Sequence, residues 1–169
     1  MAQVLLRTGA AQYAATALLA SAATPTDIAI LPGSASKTIL VTKVIVSGTK
    51  TTAGLVDVLL IKRSTANSGG TSAAMTAVPY DSTNLAASAA PLSYTANPTP
   101  GTAVGTVARA HIPVDAPASV VGNVREVFDF GNNGQPIVLR GVAEGLAVTL
   151  NSVTQTGGSF AVTFEWQEI

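Results

Sequence analysis

The chain has no cysteine, which excludes disulfide frameworks, thiolate metal sites and thiol nucleophiles. Charge is the second shortage. Only 11% of the 169 residues are Asp, Glu, Lys or Arg, nine of each sign, whereas an ordinary globular chain carries about 25%. Folded as a compact monomer, the protein would show about one charge per 430 Å², against one per roughly 180 Å² normally. Such a surface is weakly solvated, and zero net charge adds no repulsion between copies. Much of the exterior is therefore expected to be covered by copies of the chain or by a partner. Nucleic acid is not expected as that partner, because phosphate neutralisation needs clustered Lys and Arg, and the nine here are scattered from Arg7 to Arg140. A membrane is not expected either, since no apolar run approaches the ~18 residues that cross a bilayer.

What the chain does have is apolar and small residues: 47% are hydrophobic, and the mean hydropathy is +0.42. Bulk disorder is excluded on that composition. The length suits a single domain. Leu5 to Ala23 faintly mimics a secretory leader, but Gln12, Tyr13 and Thr16 interrupt it, so synthesis in the cytoplasm is the expectation.

The clearest periodicity is at the C-terminus, where Phe160, Val162, Phe164 and Trp166 alternate with Ala161, Thr163, Glu165 and Gln167. This predicts a strand with one buried face. Leu146, Val148 and Leu150 alternate in the same way, and turn residues from Gln155 to Gly158 follow, so the two runs are expected to form an antiparallel hairpin. Val124 to Phe130 and Pro136 to Arg140, around Gly131 to Gly134, predict a second hairpin. Thr38 to Val46 and Leu55 to Lys62 predict a third strand pair. Within the first of these runs, Lys43 shares parity with Ile39, Val41 and Ile45, which calls for a bulge or a change of buried face there. Further strands are expected at Thr26 to Leu31 and Gly101 to Ile112, and one at Gln3 to Leu6. About eight strands without an amphipathic helix predict an all-β, antiparallel β-sandwich, with a jelly roll as the expected topology.

The expected organisation is an N-terminal arm or extension over 1–25 and a single β-sandwich domain over 26–169, interrupted by a loop insertion at 64–100. The arm is alanine-rich, with one or two helical turns conceivable at Ala10 to Ala20. The insertion is dominated by Ser, Thr, Ala, Gly, Asn and Pro, a composition of irregular loop. Structureless loops of that length are uncommon in compact domains unless they bind something, so arm and insertion are both candidate contact surfaces. Among the eight aromatics, Tyr13, Tyr80 and Tyr94 are the candidate exposed ones and the candidate partner contacts.

The search for chemistry yields no catalytic, cofactor-binding or metal-ligating residues. His111 is the only histidine, no Gly-x-Ser-x-Gly elbow accompanies it, and a surface or structural role is expected. Ser34 to Lys37 matches Ser-x-x-Lys, but a β-branched run follows, so the two side chains are not stacked on a helix. Gly33 to Thr38 has Ser36 where a phosphate-binding loop needs its second glycine. Asp129, Asn133 and Gly134 fall on calcium-loop positions, yet Gly131 and Arg140 replace required ligands. For a glycosidase-type acid pair the candidates are Glu165, Glu168 and Asp57, the last expected to face Lys43 or Lys62. Structural pairing is the expected role of all three.

Taken together, Pro25 to Ile28, the strand Thr38 to Val46, the run Val56 to Ser64, the loop Asn67 to Gly70 and the stretch Leu139 to Leu146 resemble small virion structural proteins of tailed bacteriophages. The resemblance spans most of the chain from about Thr24 onward and rests on texture and these short stretches. It implies a jelly-roll capsid decoration (cement) protein that is not an enzyme and carries no cofactor. Such proteins are often homotrimers on the capsid exterior, bridging neighbouring copies of the major capsid protein. The alternative within the virion is a tail, neck or fibre-associated protein with a receptor- or glycan-binding role.

Overall fold

The computed structural model describes residues 9–20, 22–116, 124–132 and 135–169; the expected strand at Gln3 to Leu6 lies outside them. The described residues form twelve strands and no helix: β1 (Ala11–Ala20), β2 (Asp27–Pro32), β3 (Ile39–Thr49), β4 (Gly54–Arg63), β5 (Thr71–Ala74), β6 (Ala77–Pro79), β7 (Leu92–Ala96), β8 (Ala103–Val114), β9 (Arg125–Asp129), β10 (Ile137–Leu139), β11 (Gly145–Thr149) and β12 (Ser159–Glu168). Sheet 1 runs β6-β1-β12-β3, with β9 and β10 sharing the far edge of β3. Sheet 2 runs β5-β7-β2-β11-β4-β8. The sheets pack face to face as an antiparallel β-sandwich around one core cluster drawn from both.

The C-terminal alternation is realised along β12. Phe160, Val162, Phe164 and Trp166 are no more than 1% exposed, while their odd-numbered neighbours reach the surface. The expected hairpins are not formed. β11 and β12 lie in different sheets, as do β3 and β4, and β9 and β10 both pair with β3 rather than with each other. Alternation reports that a face is buried; it does not report which strand lies alongside. The pairing is instead nested, first with last: β1 with β12, β2 with β11, β3 with β9 and β10, β4 with β8, and β5 with β7.

The parity break at Lys43 is a bulge. Val41 stands opposite Trp166 and Lys43 opposite Glu165, leaving Thr42 as the extra residue, with its hydroxyl donating to the Glu165 carbonyl at 3.0 Å. Ile39 and Val41 therefore enter the core before the bulge, Val44 and Val46 after it, and Lys43 turns outward.

The expected arm is corrected over Ala11–Ala20, which is a full strand paired along ten residues with β12. Tyr13, Ala15 and Leu19 are buried there. The inward side is partly alanine, while the outward side carries Leu18 at 76% exposure, so hydropathy scarcely alternates although the backbone does. The insertion over 64–100 is likewise more ordered than its composition implied. It contributes β5 to sheet 2, β6 to sheet 1 and β7 to sheet 2, crossing between the sheets twice, and it places Met75 and Ala89 in the core.

Candidate functional site

The buried acids are held in three polar locks. Asp27 on β2, almost wholly buried, accepts from Arg63 Nε at 2.7 Å and Nη2 at 2.5 Å. Asn67 Nδ2 adds a third bond at 2.8 Å, while Asn67 Oδ1 accepts from the Gly101 amide and Arg63 Nη1 donates to the Gly101 carbonyl. This lock fastens both ends of the insertion to the sandwich. Glu168, at the end of β12 and on the same side as Trp166, is 7% exposed. Its carboxylate accepts from Trp166 Nε1, from the amides of Ser88 and Ala89, and from the Ser88 hydroxyl, at 2.7–3.1 Å. It pins the middle of the insertion over the end of the core.

Asp57 forms the third lock, and its partner differs from expectation. Lys43 belongs to sheet 1 and pairs with Glu165; Lys62 reaches Glu144 and the Val138 carbonyl. Asp57 instead accepts from Arg109 Nε at 2.8 Å and Nη2 at 2.6 Å, and from Asn151 Nδ2 at 2.8 Å. The Arg109 hydrogen bond, helped by Asn151, holds its carboxyl below the usual aspartate range against the opposing pull of burial. Asn151 reaches it from a turn in which it and Ser152 both have φ of +54°, a conformation asparagine tolerates. His111, opposite Asp57 on β8, is mostly exposed, with Nδ1 3.8 Å from the carboxylate.

Asp57 and Glu165 cannot form a catalytic pair. Val56 and Val58 point into the core, as do Phe164 and Trp166, so the two acids face outward from opposite sheets. The other early candidates are structural turns: Ser34 Oγ accepts from the Ser36 amide, and Asp129 Oδ1 accepts from the amides of Gly131 and Asn132. Asn133 and Gly134 lie outside the described residues.

Two of the three tyrosines expected at the surface are buried. Tyr13 is 2% exposed and stacks on Trp166 with centroids 5.7 Å apart, its hydroxyl donating to the Leu85 carbonyl. Burial, then the nearby Glu168 charge, raises its pKa. Tyr94 packs with Ile30, Leu92 and Ala147 in a small cluster on the outer side of sheet 2, and burial raises its pKa as well. Tyr80 alone is exposed, at 56%.

In sheet 2, Leu55 on β4 and Val104 and Val107 on β8 are exposed; the outer face of sheet 1 is left open as well. One row across it runs Asp129, Lys43, Glu165, Ala14 and Val78; the next Val127, Ile45, Thr163 and Thr16; the next Arg125, Ser47, Ala161 and Leu18. Lys43 and Glu165 neutralise each other at 3.2 Å, so most of this face is small, threonine-bearing or aliphatic. At one end, beside the Thr42 bulge and the turn after β9, lies a polar pocket of about 280 Å³. Gln12, Thr42, Lys43, Asp129, Glu165 and Gln167 line it, with Gly131 and Asn132 from the turn. The Gln167 Oε1 atom is buried without a hydrogen-bond partner. Tyr80 stands alongside: its amide donates to the Gln12 carbonyl at 2.9 Å, and burial together with the Glu165 charge raises its pKa.

The sequence patterns did not indicate this pocket. The outward parity of Glu165 and Gln167, the misfit of Lys43 and the turn at Asp129 and Gly131 were separate traces of it; Gln12 lay in the supposed arm. Among the described residues, no group of three or more His, Asp or Glu side chains is placed to hold a metal ion, and no helix is long and apolar enough to cross a membrane. Comparison with protein-family models, with curated proteins and with solved structures finds no match to the chain.

Proposed function

We propose that this chain is a non-enzymatic structural protein of a tailed-bacteriophage virion, made in the host cytoplasm, that binds the capsid exterior and bridges neighbouring major capsid subunits. The observation that carries the reading is the open face of sheet 1, where Leu18, Val78 and Val127 are exposed among small residues, the Lys43–Glu165 ion pair and the flanking Asp129 and Arg125. A broad face with exposed aliphatic side chains is costly to leave in water and suited to docking on protein. The resemblance noted from Pro25 to Leu146 supplies the kind of partner. We read the sandwich as a jelly roll, supported by the nested strand pairing. A decoration protein stabilises an assembled shell by binding it in preference to free subunits, and a homotrimer would add avidity without new contacts.

The test is sedimentation of the purified protein with expanded capsids. Co-sedimentation with capsids and self-association in their absence are expected; a clean monomer with no affinity for capsid would sink the proposal. The polar pocket favours a second reading, a tail, neck or fibre protein that recognises a receptor or glycan. Immunogold labelling at the tail instead of the head would select it.

A further inference from the structure

We infer that the pocket above the Thr42 bulge is a binding site for a neutral saccharide, entered by the terminal sugar of a glycan. Its chemistry leaves few other ligands. A cation is opposed by the Lys43 ammonium, which stands in register between Glu165 and Asp129 and 3.2 Å from the former. An anion would meet two carboxylates and a lysine already paired with one of them. An apolar ligand would strip water from amides and acids without replacing their hydrogen bonds. A hydroxyl-rich neutral molecule fits all of these constraints.

Three amides, those of Gln12, Asn132 and Gln167, line the space, and each offers a donor and an acceptor, the complement of sugar hydroxyls that do both. Gln167, one of the three, has an Oε1 without a hydrogen-bond partner, an unusual condition in a folded protein. The volume of about 280 Å³ is at the small end for ligand sites, which limits occupancy to about one or two sugar rings. Tyr80, exposed and bonded through its amide to the Gln12 carbonyl, is the aromatic residue that this pairing brings nearest for a sugar ring to stack on. Because the pocket opens on the outer face of the sheet, the remainder of a glycan chain can leave toward solvent. The inference stands on the pocket alone and holds at the head or the tail of a virion.

The test is a titration of ¹⁵N-labelled protein followed by amide shifts. The probes are the methyl glycosides of glucose, galactose and mannose, and N-acetylglucosamine, each at about 20 mM, well above a millimolar Kd. At least one probe is expected to shift the amides of Gln12, Lys43, Asn132 and Gln167 together with Tyr80, while calcium chloride and sialic acid leave them in place. Gln167→Leu, which removes the orphaned acceptor without opening a cavity, should preserve the spectrum elsewhere and weaken that binding about tenfold, the worth of one neutral hydrogen bond. The inference is overturned if no probe moves these amides, if calcium or sialic acid moves them instead, or if Gln167→Leu binds as tightly as the parent. None of those outcomes touches the capsid proposal, which sedimentation tests separately.

Discussion

The two outer faces of the sandwich obey the same alternation rule and differ in how their polar groups are used. Sheet 2 buries Ile30, Tyr94 and Ala147 of its outer side within the chain itself, ties its acids to arginines at Asp27–Arg63 and Asp57–Arg109, and leaves Leu55, Val104 and Val107 exposed on β4 and β8. Sheet 1 turns Leu18, Val78 and Val127 to solvent and carries the Lys43–Glu165 pair, Asp129 and Arg125 on the same side. The difference shows how a charge-poor chain divides its few ionic groups. Asp27, Arg63 and Glu168 fasten the insertion, Asp57 and Arg109 tie β4 to β8, and the outer face of sheet 1 is the one proposed to dock.

Substitutions on the two faces should therefore separate stability from docking. The largest loss is expected from Arg63→Met, which strands the Asp27 carboxylate in the interior: removing one partner of a buried pair costs about 3–5 kcal/mol, readable in a denaturant melt. Arg63→Met combined with Asp27→Asn should recover part of it; no recovery would mean that the pair is not the lock described. Glu168→Ala comes next, at about 2–3 kcal/mol, because the Trp166 indole and the Ser88 and Ala89 amides lose a charged acceptor. Hydrogen exchange should show those two amides opening faster while β5 and β7 keep their protection.

Asp57 gives a smaller, pH-dependent effect. Its folded-state pKa is depressed below the ordinary 3.8, so the stability it contributes is fully present above that value and is lost as pH falls through the folded pKa. Asp57→Asn should flatten the acid side of the stability profile and leave neutral-pH slope unchanged. Smallest of all is Leu18→Lys, on the open face, expected to change stability by no more than about 0.5 kcal/mol. A loss of several kcal/mol in a thermal melt would mean that Leu18 is packed and that the face is not open.

The strands of strong periodicity were legible in the sequence because Phe, Val and Trp on one side of β12 oppose Thr, Glu and Gln on the other. The Lys43 misfit likewise announced its bulge. Partner choice was not legible: the nested pairing joins residues more than a hundred positions apart, such as Tyr13 with Trp166, and no local turn signal encodes that. β1 was missed because alanine on the inward side and an exposed leucine on the outward side erase the hydropathy contrast. The ordered insertion was missed because its locks are single residues, Asn67, Ser88 and Gly101, whose types suggest loop and whose roles depend on distant carboxylates. The polar pocket draws on β1, β3, β9 and β12 and had no linear signature.

The most direct test of the central claim, that sheet 1 presents the docking face, is co-sedimentation of face-specific variants with expanded capsids. Leu18→Lys/Val127→Lys should stay folded and remain in the supernatant, while Leu55→Lys/Val104→Lys, at exposed positions on β4 and β8 of sheet 2, should pellet with the capsids like the parent chain. Retained binding by the first variant, or lost binding by the second, would contradict the assignment.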